Sequence, residues 1–455
     1  MKEILNKTIY SEKLNLLILF LLSMSLIFSR SFLGLYLFNF RIGEYLIAFS
    51  LLLFIGTLIA FVRSDLFMKF PKETKFILYS FFIYFFINAL LSNSSFFDPY
   101  TYKTSSYIWT LSFIFLGINA KQIKLNKNYV WILEVFIVLI YFSNILGYPN
   151  FLVDFFLNYS DKYEPHKGSD LALFFMIGSL LISKNLNYSE NAFQLTVLNC
   201  SLYLPLFLYK SRAAFIGVII LMIYEFYTYL TLREIKVFSL KNLILFIFSF
   251  LLITYSTFQS QTKVIPEEVS LEMITDSYSS LGKYKFQHFQ DEYPLIYFKN
   301  GRVYSGDGNL NWRLDMWQDE FDFVKESGRI FSGIGYNEKF KVFLVPTWND
   351  GTNNRLGYDR LNESLHNYFV TVFLRGGVVH LLLLLYFYYV FISLALINKD
   401  KRFLVFTFAV IFISSFDNSM ENSHFPLIYF YFFGNYFFNN HNNPKNKEKK
   451  KLNSN

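Results

Sequence analysis

Three residues of this chain combine side chain and setting for chemistry on a phosphate ester. Arg212 opens a hydrophobic run in Ser211-Arg212-Ala213-Ala214-Phe215-Ile216-Gly217, directly after Lys210. Arg313 lies in a polar stretch, within Asn311-Trp312-Arg313-Leu314-Asp315-Met316-Trp317. His366 closes that stretch in Glu363-Ser364-Leu365-His366-Asn367-Tyr368, where apolar sequence resumes. An arginine offers a permanently charged fork that grips phosphate oxygens at two points. A histidine, with a pKa near neutrality, is well suited to take a proton. Together they are the minimum set for displacing a diphosphate leaving group. Each also has a plainer reading. Arg212 can snorkel to lipid phosphate, Arg313 can be a solvated charge on a surface helix, and Ser364 or Asn362 can simply cap a helix start.

The elements that must position them are set by composition. The 455 residues are 53% apolar and only 17% charged, against about 25% charge in soluble domains, so the chain reads as an all-α polytopic membrane protein. A bilayer core needs close to 20 apolar residues per helix. Runs of that kind lie near 14–29, 42–62, 75–92, 105–119, 129–147, 168–183, 192–209, 212–231, 241–258, 368–397, 403–416 and 425–438, which predicts about twelve transmembrane helices. The layout is a membrane domain over 1–258, a large and partly helical loop over 259–366, a second membrane part over 367–440 and a basic tail over 441–455. The segment 367–397 exceeds a perpendicular span, so it either tilts or begins with an approach helix above the bilayer.

Cations give the sidedness. With the N-terminus inside, inner segments carry about three cations for each one in the short outer loops, as the positive-inside rule requires. The outer minority is Arg30, Arg41, Lys103, Lys162, Lys167, Lys210 and Arg212. Both termini are thus expected in the cytoplasm and the large loop outside. The first apolar run lacks an Ala-x-Ala-type cleavage site and reads as an uncleaved helix. The net charge of +8 belongs to loops and tail facing membrane lipids and does not indicate nucleic acid. The single cysteine, Cys200, excludes an internal disulfide. Enrichment of Phe and Tyr together with Ile, Asn and Lys reads as codon bias rather than as sugar platforms.

Within the loop, Leu310, Leu314, Trp317, Phe321 and Val324 recur at helical spacing and predict a buried stripe, with Asp315, Asp319, Asp322 and Glu326 on the solvated face. Arg313 falls at the edge of that stripe. Gly333-Ile334-Gly335 reads as a tight turn. His166, His288, His380, His424 and His441 show no metal-ligand spacing, and Asp417, Glu421 and His424 read as a polar turn, so neither metal nor cofactor is expected. Glu44, Glu134, Glu225, Arg375 and His380 are ionisable residues inside spans.

The order of these elements resembles the O-antigen ligase and O-antigen polymerase superfamily. Ser211-Arg212-Ala213-Ala214 is similar to its Ser-Arg-Gly-Ala element, with Ala213 in place of the glycine. Arg313-x-x-x-Trp317 and Gly333-Ile334-Gly335-Tyr336 resemble its loop. His366-Asn367-Tyr368, then Gly376-Gly377, is similar to its His-Asn-x-Tyr and glycine elements, although Arg375 stands where many members carry an acid. The resemblance covers roughly residues 200–400. It implies a metal-independent glycosyltransferase of the bacterial inner membrane that uses a polyprenyl-diphosphate-linked glycan as donor. The acceptor would be lipid A–core in a ligase, a second lipid-linked glycan in a polymerase, or a protein hydroxyl. On this reading Arg212 and Arg313 stabilise the diphosphate and His366 deprotonates the acceptor, inverting the anomeric carbon. Arg302, Lys210, Trp317 and Asn367 would contact diphosphate or glycan. The alternatives are a polysaccharide polymerase and, from a different class, a secondary transporter or flippase using Glu134 or Glu225.

Overall fold

The computed structural model describes residues 12–60, 72–92, 94–96, 98–119, 127–161, 163–164, 166–232, 239–262, 296–344, 355, 363–397 and 399–441. It is predominantly helical; among the described residues strand pairing is limited to two hairpins, Tyr36–Leu37 with Phe40–Arg41 and Tyr297–Lys299 with Arg302–Tyr304, and an isolated bridge between Leu35 and Ser160. Each apolar run of the sequence falls on helix. Among the described residues, six helices are long and apolar enough to cross a membrane, within 16–33, 128–146, 190–210, 212–231, 240–260 and 368–397. The helix Gly168–Asn185 runs through the middle of the bundle and is buried almost all round. Helices at the rim, such as Leu240–Thr262, instead expose Ile244, Ile247, Phe248 and Leu251, as lipid-facing surfaces do.

Small residues set the closest helix approach. Arg212–Tyr227 packs on Lys401–Ser414, where a Cβ on Gly217 would fall 2.6 Å from the Ile413 side chain. A Cβ on Gly168 would fall 2.5 Å from the Ser211 Cβ, so this glycine lets the start of the central helix lie against the start of the Arg212 helix.

The long segment resolves in a way that its length alone does not reveal. Tyr368–Ile397 is two helical pieces merged across a break at Gly377, with φ 69° and ψ −172°. A break inside a membrane helix leaves backbone groups without partners. The large loop supplies them. Ile334 N–H donates to the Leu374 carbonyl at 2.8 Å, Gly335 N–H to that of Arg375 at 3.0 Å, and Val378 N–H to that of Ile330 at 3.0 Å. Gly333-Ile334-Gly335 is therefore a docking strand and not merely a turn. A Cβ on Gly377 would stand 2.0 Å from the Phe331 carbonyl oxygen, so backbone meets backbone here with no room for a side chain. Tyr84, from the helix Lys72–Leu91, donates to the same carbonyl at 2.9 Å.

The loop helix, Gly308–Glu326, is rotated from its expected face. Met316 and Val324 are fully buried with Trp312, Trp317 and Phe323 packed beside them, while Phe321 is 44% exposed. Asp315 and Glu320, expected toward water or left unassigned, are buried. Asp315 accepts from Arg355 at 2.8 Å, and Glu320 accepts from Val342 N–H at 3.0 Å. Polar partners from later in the loop thus turned a carboxylate face inward.

Candidate functional site

The helix Arg212–Tyr227 begins at Ser211, whose side chain accepts from Ala214 N–H and caps the first turn. That cap fixes Arg212 at the helix mouth. Its guanidinium bonds Asp307, which also caps the loop helix by accepting from Leu310 N–H at 2.9 Å. One carboxylate therefore ties the start of a membrane helix to the start of the loop helix. One turn further on, Arg313 donates to the carbonyl of Phe416, just past the end of Lys401–Ser414, a place where cations are favoured. The Arg313 Nε is buried without a partner.

His366 precedes the broken helix in a left-handed conformation, φ 55°, costly for a side chain with a Cβ. The cap of that helix is Asn367, which accepts from Val370 N–H at 3.1 Å, and not Ser364, which instead accepts from His366 N–H. Asn362 lies outside the described residues. The imidazole packs against Trp312 with ring centroids 5.3 Å apart.

His366 and Trp312 open onto a cavity of about 370 Å³. Around the histidine its wall carries Arg30, Glu164, Lys167 and Asn422; a second group comprises Tyr100, Lys103, Tyr107, Glu363 and Arg375. Thr371 and Glu421 also line it, with the Thr371 hydroxyl donating to Glu421 at 2.9 Å. The charges that His366 feels are all positive. Partial burial, then Arg313, Lys167 and Arg30, push its pKa down to about 3, so the ring is neutral at physiological pH and ready to accept a proton. Lys167 makes no ion pair among the described residues, and burial, followed by the Arg30 charge, lowers its own pKa. Burial holds Glu421 up to about 7, against hydrogen bonds from Ser364 and Thr371.

The other residues named from sequence lie elsewhere. Arg302 reaches Asp319 at 2.5 Å and Asp315 at 3.3 Å, and Arg355 joins the same two carboxylates, so Arg302 belongs to a compensated cluster on the loop helix. Lys210 donates to Asn144 at 2.7 Å and to the His166 carbonyl at 2.9 Å, holding the segment that carries Lys167. Trp317 donates to the Leu365 carbonyl at 2.6 Å, which anchors the chain just before His366. These three and Asn367 support the site without lining the cavity, and Arg212 and Arg313 also stand behind its wall, so of the residues named from sequence for the site His366 alone lines it. Glu134 accepts from Asn199 at 2.9 Å and Glu225 from Arg402 at 2.9 Å, so both span carboxylates are committed to neighbouring helices.

Sequence reasoning missed Lys167, Arg30 and Glu421. The first two had a signal: they belong to the outer minority that breaks the charge bias. With Lys103 they account for three of those seven cations, and all three line the same cavity. Glu421 had none, since one acid in a polar turn looks like any other.

Residues 198–385 match a protein family described as O-antigen ligase. This stretch of the chain is similar to the O-antigen ligase superfamily. The matched stretch takes in the Ser211–Arg212 cap, the loop helix, His366 and the break at Gly377. No curated protein matches the chain. That family implies a glycosyltransferase-like ligase or polymerase in polysaccharide biosynthesis, and the six helices long and apolar enough to cross a membrane agree with it.

Proposed function

We propose that this protein is an O-antigen-ligase-type glycosyltransferase of the bacterial inner membrane, with twelve spans, cytoplasmic termini and the cavity on the outer side. It moves a glycan from a polyprenyl-diphosphate carrier to an acceptor hydroxyl. The observation that carries this reading is a neutral histidine ringed by cations, one of which has an orphaned buried donor. Unneutralised charge at a buried site is costly, and a diphosphate relieves it.

In the reaction, Arg313, Lys167 and Arg30 hold the diphosphate, with Arg212 exchanging part of its hold on Asp307 for a phosphate oxygen. The acceptor oxygen attacks the anomeric carbon as its proton passes to His366. The bond from that carbon to the phosphate oxygen breaks, and its electron pair leaves on the diphosphate, where the cations stabilise the developing charge. Attack opposite the leaving group inverts the anomeric centre. Arrival of the diphosphate also cancels the charges that depress His366, which makes the ring a stronger base when the donor is in place.

Ligase and polymerase share this geometry and differ in acceptor. Glycan analysis of a deletion strain separates them: lipid-linked polymer accumulating without attachment identifies the ligase. Accumulation of single repeat units identifies a polymerase instead. Full-length protein that transfers no glycan from a lipid-diphosphate donor overturns both.

A further inference from the structure

We propose that the part of the cavity around Arg375 selects an acceptor glycan bearing an anionic group, a carboxylate or a phosphate. This rests on the transferase reading above and specifies its acceptor. Arg375 is 2% exposed, yet no carboxylate pairs with it among the described residues. Its guanidinium donates to the carbonyls of Gly335 (3.2 Å) and Glu338, reaches the Tyr100 hydroxyl at 3.4 Å, and lies over the Phe340 ring at 4.0 Å. Those partners accept hydrogen bonds and soften the burial, but none carries a negative charge. Buried arginines are usually paired, because an isolated charge out of water is expensive.

The neighbouring rim has the same imbalance. Lys103 at 2.9 Å and Lys339 at 3.3 Å share the single carboxylate of Glu363, which leaves one positive charge in excess. Arg375 adds a further cation that no carboxylate contacts among the described residues. Glu320 and Glu421 oppose it only from further off; Glu320 is occupied by the Val342 N–H and Glu421 by the Thr371 hydroxyl. Tyr100 and Trp312 add aromatic rings to the cavity wall, the kind of surface on which a sugar packs, and Tyr100 is the one beside Arg375. The group is distinct from the cations around His366, which are reserved for the donor diphosphate. Two anion sites flanking one base would orient donor and acceptor together.

The test uses the full-length protein in lipid nanodiscs and calorimetric titration with three sugars: a galacturonic acid trimer, the same trimer after carboxyl reduction, and a phosphorylated hexose. Wild type should bind the acid trimer about tenfold or more tighter than its reduced form, the scale of one charge-assisted hydrogen bond. Tight binding of the phosphorylated hexose alone identifies phosphate as the group. Arg375→Gln should abolish the preference. Because Arg375 also ties down residues 335–338, Lys103→Gln at the exposed rim serves as a second variant, expected to weaken the preference several-fold while the protein stays folded. Equal binding of acid and reduced trimers without tight binding of the phosphorylated hexose, or binding of no sugar, overturns the proposal. Selective binding without any glycan transfer leaves the anion site standing and sinks the transferase reading; transfer with no charge preference does the reverse.

Discussion

Two sets of cations in this molecule are built from basic side chains and put to opposite uses. Arg302 and Arg355 face Asp315 and Asp319, two charges against two, and the cluster closes on itself. Arg313, Lys167 and Arg30 face His366, and among the described residues Glu164 is the one carboxylate that ion-pairs with them, through Arg30, while Asp417, Asp307 and Asp170 act on Arg313 and Lys167 from further off. An arginine in a loop is therefore uninformative until its carboxylates are counted. The compensated set fastens a hairpin to a helix, and the uncompensated set is left with charge to offer a ligand.

The sharpest break of this comparison is at the base. His366→Asn should reduce single-turnover transfer by roughly 10²–10⁴-fold, the usual range for losing a general base. Asparagine tolerates the left-handed backbone found here, so thermal stability should hold and donor binding should persist. Wild-type turnover in this variant would leave the histidine as a feature of the helix start.

Next comes the fork. Arg212→Lys keeps the charge but loses two-point geometry, and it should impair transfer nearly as severely as Arg212→Ala. A lysine variant with near-normal kcat/KM would reduce Arg212 to a tether for Asp307. Smaller still, Lys167→Gln should raise the KM for the lipid-linked donor by about tenfold, as loss of a charged hydrogen bond does. The contrasting change, Arg302→Gln, should leave that KM alone and lower unfolding stability by about 1 kcal/mol, because Arg355 still covers both carboxylates. If Arg302→Gln weakened the donor as much as Lys167→Gln, the two sets would not differ in kind.

Acidity gives the finest test. In the free protein burial first, and then the cations, push the His366 pKa down to about 3. Bound diphosphate offsets them, so the donor-bound pKa is higher. Because transfer needs the neutral ring, activity falls as pH drops through that value. The acid limb of kcat should therefore lie at higher pH than any acid limb that His366 imposes on kcat/KM. Coincident limbs would show that the donor does not neutralise the charges around the histidine.

Much of this was legible in the sequence. The apolar runs announced the helices, and Arg212, Arg313 and His366 stood out as polar residues at hydrophobic boundaries. The rest needed tertiary partners. The loop helix turned its Asp315 inward because Arg355 comes from far along the chain, beyond the reach of a periodicity argument. Gly333-Ile334-Gly335 looked like an ordinary turn because its purpose, completing a helix broken at Gly377, shows only once both segments are in place. Lys167 depends on Gly168 for its approach to Ser211, and no local pattern marks that contact.

The docked strand has a mechanical consequence. A stretch of loop backbone serves as the missing rung of a membrane helix, so detaching it would strand amide groups where water cannot reach them, at several kcal/mol. Residues 330–335 bond to Leu374 and Arg375 above the break and to Val378 below it, and Tyr84 holds the Phe331 carbonyl, so this backbone splints the two pieces of the helix to each other and to a neighbouring helix. His366, just before the upper piece, stands on that braced mount. The alignment of the reacting atoms would then be set by how stiffly the splint resists a large glycan pressing on the loop.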